Sequence, residues 1–491
     1  MVKVKMNLVP DTENTTPDYY CTWQTQLYAT SGGSPKEQRD VIGEKQLFGK
    51  EYPYGWAYLH ERARRDLLLV MDDSWDVPIQ NEEAYFGSLE LDKSKFPEST
   101  KKAATNAEAL KLLTDRIKAL GWKGLGGWVC AQKAPKYADV DDKEYWISRL
   151  EDANAADFSY WKVDWGAEST DIEFRKMLTE LGWKHAPRLT IEHGVTRKAL
   201  QVSDVYRTYD VPAIMSIPMT VEKIADIACR EKPREGYRGI VNCEDEAYIA
   251  AAGGFSMGIM RHSYVDSFPN GEADRSFPSC HRDLKRRMYE IVRAARWHRI
   301  APAFSFSTGE ICISEQLLTD TWNFENRYAE IEQWWFKTDV INNCIFDGVL
   351  TKTAPAAISR NCELPRIEPD EDGNIPYAIA SKNPNGVFSI ATLGRTVGRR
   401  YYIPRCSVVF NIGDADTVGI FGEYRELILE TDKAKIDRVY LQDLSADTAY
   451  DVSDDVMFAD GRLTVSGELL KRICIQPKDD VSDCGAVLKI F

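Results

Sequence analysis

The stretch "WKVDWGAES" (Trp161–Ser169) sets a lysine, a carboxylate and two indoles into a run that otherwise reads as a buried strand. Lys162 and Asp164 are two residues apart, so on a strand their side chains leave the same face. A charged pair on one face of an inner strand costs on the order of several kcal/mol unless it is paired or emerges at a working surface. A strand that ends in charge therefore predicts a fold whose strand ends form a functional rim.

The surrounding sequence repeats that arrangement. "YYCTWQTQ" (Tyr19–Gln26), "RDLLLVMDDSW" (Arg65–Trp75), "WKGLGGWVCAQ" (Trp122–Gln132), "APRLTIEHG" (Ala186–Gly194), "SDVYRTYDV" (Ser203–Val211), "GIVNCEDEAYIAAAGG" (Gly239–Gly254) and "SMGIMRH" (Ser256–His262) each pair an apolar run with polar residues at its end. Helical stretches separate them, such as "NAEALKLLTDRIKALG" (Asn106–Gly121), whose apolar residues recur at helical spacing up to a terminal glycine. Near-continuous apolar strands alternating with helices predict parallel βα units. About eight units close a (β/α)8 TIM barrel; a doubly wound open sheet is the alternative. Past the proline- and acid-rich "LPRIEPDEDGNIP" (Leu364–Pro376), short alternating strands divided by turn residues predict a C-terminal antiparallel β-sandwich. The expected domains are a barrel over 1–375 and a sandwich over 376–491.

Bulk properties narrow the function. The 491-residue chain is 44% hydrophobic and 28% charged, as in ordinary globular proteins, and its net charge of −14 argues against nucleic acid and anionic membranes as partners. No apolar run reaches the roughly 18–20 residues of a membrane span, and the N-terminus lacks a secretory hydrophobic region. The 11 cysteines form no CxxC pair and the 6 histidines no metal-ligand spacing, so free thiols in a cytoplasmic setting, no metal and no cofactor are expected. Homo-oligomerisation stays open.

Acids lie at several strand ends: Asp72 and Asp73, Asp164, Glu192, and Asp204 or Asp210. Lys162 and Arg207 accompany them, with Trp23, Trp75, Trp128 and Trp165 nearby. Carboxylates accept hydrogen bonds from sugar hydroxyls, cations donate to sugar oxygens, and indole faces cover a pyranose C–H face. The same set supplies two carboxylates for glycoside cleavage. Lys162 favours an ionised Asp164, as a nucleophile requires. Structural roles compete: Asp72 and Asp73 as a helix-capping turn, Lys162 and Asp164 as an ion pair across the barrel mouth, and Glu244, Asp245 and Glu246 as a first helical turn.

Taken in order, "TWQTQ", "MDDSW", "KGLGGWV", "WKVDW", "IEHG" and "VYRTYDV" resemble the motifs of clan D glycoside hydrolases, the melibiase-type α-galactosidases and α-N-acetylgalactosaminidases of family 27. The resemblance covers residues 19–211. It implies a retaining exo-acting hydrolase of α-linked galactose-like sugars, with Asp164 as nucleophile and Asp210 as general acid/base. It further implies that Lys162 binds ring hydroxyls, that Asp72 and Asp73 hold the O4 and O6 side, and that Arg207 binds near O2. Departures are visible. "RTYD" is one residue shorter than the family pattern, which brings Asp204 into competition for the acid/base role. His193 replaces a tryptophan on the glycone's upper edge, and Trp165 replaces a disulfide cysteine. The glycone stays open among α-galactose, N-acetylgalactosamine and β-L-arabinopyranose. Other classes are a Mg2+-dependent barrel lyase or isomerase using Asp72, Asp164 and Glu192, and a non-catalytic sugar-binding barrel.

Overall fold

A computed structural model describes residues 1–30, 35–51, 54–79, 86–208, 215–260, 287–323, 345–346, 348–478 and 480–491. Eight strands close a parallel barrel: β1 (Tyr19–Cys21), β2 (Leu68–Met71), β3 (Gly124–Val129), β4 (Tyr160–Val163), β5 (Thr190–His193), β6 (Val205–Arg207), β7 (Ile240–Glu244) and β8 (Ser256–Ile259). Closure comes from β1 pairing with β8, Tyr19 opposite Gly258. Some of the connecting helices start at side-chain caps supplied by the sequence. Thr105 and Glu108 form a reciprocal capping box on Asn106–Ala119, and Asp171 caps Ile172–His185 by accepting from the Glu173 and Phe174 N–H groups.

Strand alternation separates two environments. Tyr19, Cys21, Leu68, Val70, Tyr160 and Met260 make up a buried cluster inside the barrel, against which Trp23 packs. The opposite faces join the helices in a larger core. Gly126 serves the inner cluster: a Cβ there would lie 2.6 Å from the Tyr160 Cβ, so only glycine lets the tyrosine fill the axis.

Among the described residues four further sheets, of nine, five, three and two strands, lie outside the barrel. The five-stranded sheet runs through Arg366–Glu368, Ser407–Gly413, Glu426–Thr431, Arg462–Ser466 and Met457–Ala459. The nine-stranded sheet contains Tyr377–Lys382, Phe388–Leu393, Thr417–Phe421 and Gly485–Ile490, and also Val2–Lys3, Ile311–Ile313 and Ala357–Arg360. The expected boundary at 375/376 therefore cuts through a sheet. Ala357–Arg360 pairs in parallel with Tyr377–Lys382, and such a long-range pairing leaves no local sequence signal. Buried contacts join barrel to sheet: Arg293 forms a two-pronged pair with Asp443, both bonds 2.9 Å, and Trp297 packs edge-on against Phe421. Among the described residues no helix is long and apolar enough to cross a membrane.

Candidate active site

Charged side chains collect at the C-terminal ends of the barrel strands, the face where βα loops build sites in this fold. Asp72 directly follows β2, Asp164 directly follows β4, and Arg207 and Glu244 end β6 and β7. All four are at most 9% exposed.

Asp164 is held on both oxygens. Oδ1 accepts from the Arg207 Nη2 at 2.9 Å, and Oδ2 accepts from the Trp128 indole N–H at 3.0 Å. Burial alone would raise its pKa. Arg207 leads the opposing effects, followed by Lys162, the Trp128 hydrogen bond and Arg175, and the carboxyl ends below its ordinary value. Its side chain keeps 13% exposure.

Lys162, two residues earlier, leaves the same strand face but takes a different partner. Its ammonium lies 2.5 Å from Asp72 Oδ2, which also accepts from the Cys21 thiol at 2.8 Å. Burial would lower the lysine pKa, yet Asp72 and then Cys21 more than offset it and keep the ammonium charged. Asp73 turns to Arg39 on the helix Pro35–Asp40, at 2.7 Å. Burial nevertheless pushes the Asp73 pKa up to about 6, against Arg39 and the Ser74 hydroxyl. The Arg39 guanidinium also sits 5.9 Å from the ring centroid of half-buried Trp165.

Beneath the rim, Arg207 is 1% exposed among three carboxylates: Asp164, Glu192 at 3.4 Å and Glu244 at 3.4 Å. Glu192 is wholly buried and accepts from Tyr160 OH and Asn242 Nδ2 at 2.8 Å each, and from Tyr19 OH at 3.3 Å. Burial raises its pKa, opposed chiefly by Arg207. These donors come from the barrel axis, so Glu192 supports Arg207 and is no ligand contact.

Several other expected contacts lie elsewhere. His193 follows Glu192 and so faces outward; its ring nitrogens meet Arg175 at 3.0 Å and Thr179 at 2.9 Å on the helix Ile172–His185. Asp204 precedes β6 at the opposite end of that strand from Arg207, and accepts from the Trp183 indole at 2.9 Å and the Ile191 N–H at 3.1 Å. It is a structural acceptor and no acid/base candidate. Trp75 is 1% exposed, donates to the Trp128 carbonyl at 3.0 Å and tilts against Phe158, which makes it core. Trp128 is equally buried, so it offers Asp164 an N–H and a sugar no face. Trp165 and Trp23 are the half-buried indoles of the set. Asp210 lies outside the described residues.

Arg39 and Glu244 belong to the cluster without having been singled out as ligands. No motif marks Arg39, because its partners Asp73 and Trp165 are remote in sequence; Glu244 is marked only by its place at a strand end. A metal fits this arrangement poorly. Asp72, Asp164 and Glu192 are each engaged by a cation or by several donors, and among the described residues no cluster of three or more His, Cys, Asp or Glu side chains suits an ion.

No family model and no curated protein matches the sequence. Solved structures do match. One is a family 27 β-L-arabinopyranosidase from Geobacillus stearothermophilus, at 10% identity and TM-score 0.41 over 97% of this chain and 96% of the other. Another is an α-galactosidase from Saccharomyces cerevisiae with raffinose, at 8% identity and TM-score 0.41 over 97% and 98%. These neighbours are glycoside hydrolases. An α-amylase from Anoxybacillus matches to a like degree, at 9% identity and TM-score 0.39 over 98% and 99%. Likeness of this order says nothing about chemistry, which has to be read from the site.

Proposed function

We propose that this protein is a retaining exo-acting glycoside hydrolase of α-linked galactose-like sugars. The observation that carries the reading is Asp164: a carboxylate at a barrel strand end, held by Arg207 and the Trp128 N–H, kept ionised, and with 13% of its side chain still exposed. In the first step an Asp164 oxygen attacks the anomeric carbon, the glycosidic C–O bond breaks, and the general acid protonates the departing oxygen. In the second step the same group deprotonates water, which attacks the anomeric carbon and releases Asp164. Asp210 takes the acid/base role in this proposal, through its place three residues beyond Arg207 in "RTYD". Asp72, Lys162 and Asp73 supply acceptors and a donor for the glycone hydroxyls.

The Mg2+ alternative would have to displace Lys162 from Asp72 and Arg207 from Asp164, leaving two cations beside a dication. A panel of chromogenic α- and β-glycosides tests the hydrolase reading, with galactose, N-acetylgalactosamine and L-arabinopyranose among the glycones. Cleavage of one of them by the wild type, with Asp164→Asn folded and inert, is expected. A near-normal rate for Asp164→Asn, or activity abolished by EDTA, overturns it.

A further inference from the structure

Far from the barrel mouth, Cys474 and Cys484 bound the segment between the helix Gly467–Ile473 and the strand Gly485–Ile490. One guanidinium gathers both ends of that segment. Arg293 donates from Nη2 to the Ile475 carbonyl at 2.9 Å and from Nη1 to the Asp483 carbonyl at 2.8 Å, the residues beside each cysteine. Asp443, the carboxylate partner of Arg293, accepts from the Ile475 N–H at 2.8 Å, and the next residue, Leu444, donates its N–H to the Gly485 carbonyl at 3.0 Å. The neighbours of both cysteines are thus tied to the same three residues, and the cysteines stand side by side.

The two thiols differ in character. Cys484 donates to the Cys474 sulfur, and that bond, ahead of the Arg293 charge and the Gly485 N–H, holds the Cys474 pKa below the ordinary thiol value against burial. The same bond and burial push Cys484 up. Cys474 is therefore the nucleophile of the pair and Cys484 its resolving partner. Cys474 keeps 7% exposure beside Ile475, which is 59% exposed, so it lies just under the surface. Between the cysteines the segment is seated on the barrel helices. Asp483 accepts from Tyr248 OH at 2.7 Å, Ser482 Oγ from the Glu290 N–H at 3.1 Å and Asp480 from the Tyr289 N–H at 3.2 Å.

We infer that Cys474 and Cys484 form a thiol–disulfide site, oxidised by a low-molecular-weight disulfide, that locks this segment onto the barrel helix Met288–Trp297. The Cys474 thiolate attacks one sulfur of the small disulfide, whose S–S bond breaks and releases one thiolate. Cys484 then gives up its proton, and its sulfur displaces the second small thiolate from Cys474. Two electrons pass from the cysteine pair to the small disulfide, which leaves as two thiols carrying the two protons. The new bond closes a ring around the contacts to Tyr248, Tyr289 and Glu290, so the segment lifts from the barrel less readily. The site is independent of the hydrolase reading, and it departs from the free thiols that the sequence predicts.

The test treats the folded full-length protein with oxidised glutathione, blocks remaining thiols with iodoacetamide and digests with trypsin. Cleavage after Arg472, Lys478 and Lys489 puts the two cysteines on separate peptides, 473–478 and 479–489. The expected product is the two peptides joined, at their summed mass less two hydrogens, and separated by dithiothreitol. Exposed Cys229 reports that the oxidant acted, by carrying a glutathione adduct. Both peptides alkylated while Cys229 carries glutathione overturns the site. The oxidised wild type should also melt a few degrees above the reduced one, and Cys484→Ser should abolish that difference. A joined peptide with no difference in melting temperature, or a difference that persists in Cys484→Ser, overturns the lock.

Discussion

The Trp128 indole N–H donates to Asp164 Oδ2 at 3.0 Å, while Arg207 donates to Oδ1 at 2.9 Å. One side chain from β3 and one from β6 thus fix the carboxylate's rotation and its charge together. Removing either changes the acidity of the group and its aim.

Trp128→Phe keeps the ring and deletes the donor. A hydrogen bond to a charged group contributes about 1.5–3 kcal/mol, so kcat/KM should drop by roughly 10- to 100-fold. Because the lost donor helps hold the Asp164 pKa down, the acid limb of the pH–rate profile should move to higher pH. A profile of kcat/KM from pH 3 to 8 checks both.

Arg207→Lys retains the charge without the planar fork that reaches Asp164, Glu192 and Glu244. The variant should fold and lose most of its activity. Arg207→Met should be far less stable, since an uncompensated buried charge costs about 3–5 kcal/mol. Thermal unfolding of the two variants side by side distinguishes them.

Asp73 places a titration in the working range, since burial pushes its pKa up to about 6. Protonation removes the acceptor proposed for sugar hydroxyls, so KM should rise as pH falls below that value. Stability follows the opposite sign. A carboxyl whose folded pKa lies above its unfolded one, about 3.9, stabilises the fold fully below the unfolded value. That contribution is lost as pH rises through the folded value. Arg39→Gln removes the opposing cation and should shift both transitions upward, as read from KM and thermal unfolding against pH.

Asp204→Asn tests the reassignment of a residue that sequence reasoning left as an acid/base candidate. The change leaves one of the Trp183 and Ile191 N–H groups without a good acceptor, a cost of about 1–3 kcal/mol. Unfolding should come at lower temperature with kcat/KM nearly unchanged. A loss of turnover rescued by azide would return Asp204 to the mechanism.

Strand parity could have gone further than it did. Lys162 and Asp164 share a face because they are two apart, and the same rule puts Glu192 and His193 on opposite faces of β5. His193 was therefore readable as outward-facing from its position alone. The indoles were not separable this way. Trp75 and Trp165 each follow an acidic strand end, yet one is core and the other half-buried, a difference set by Phe158 and Phe86 arriving from elsewhere in the chain.

From its sequence alone the chain determines eight apolar strands, the helices between them, and the charged residues that end those strands. These follow from periodicity, caps and turn residues, which act over a few positions. Tertiary structure decided which charge faces which: Lys162 with Asp72, Arg207 with Asp164, and Arg39 with Asp73. It also separated Asp204 from Arg207 by placing them at opposite ends of one strand, and drew Ala357–Arg360 into the sheet beyond the barrel. Such pairings depend on barrel closure and strand order, which bring distant segments within a few ångströms without leaving a local trace.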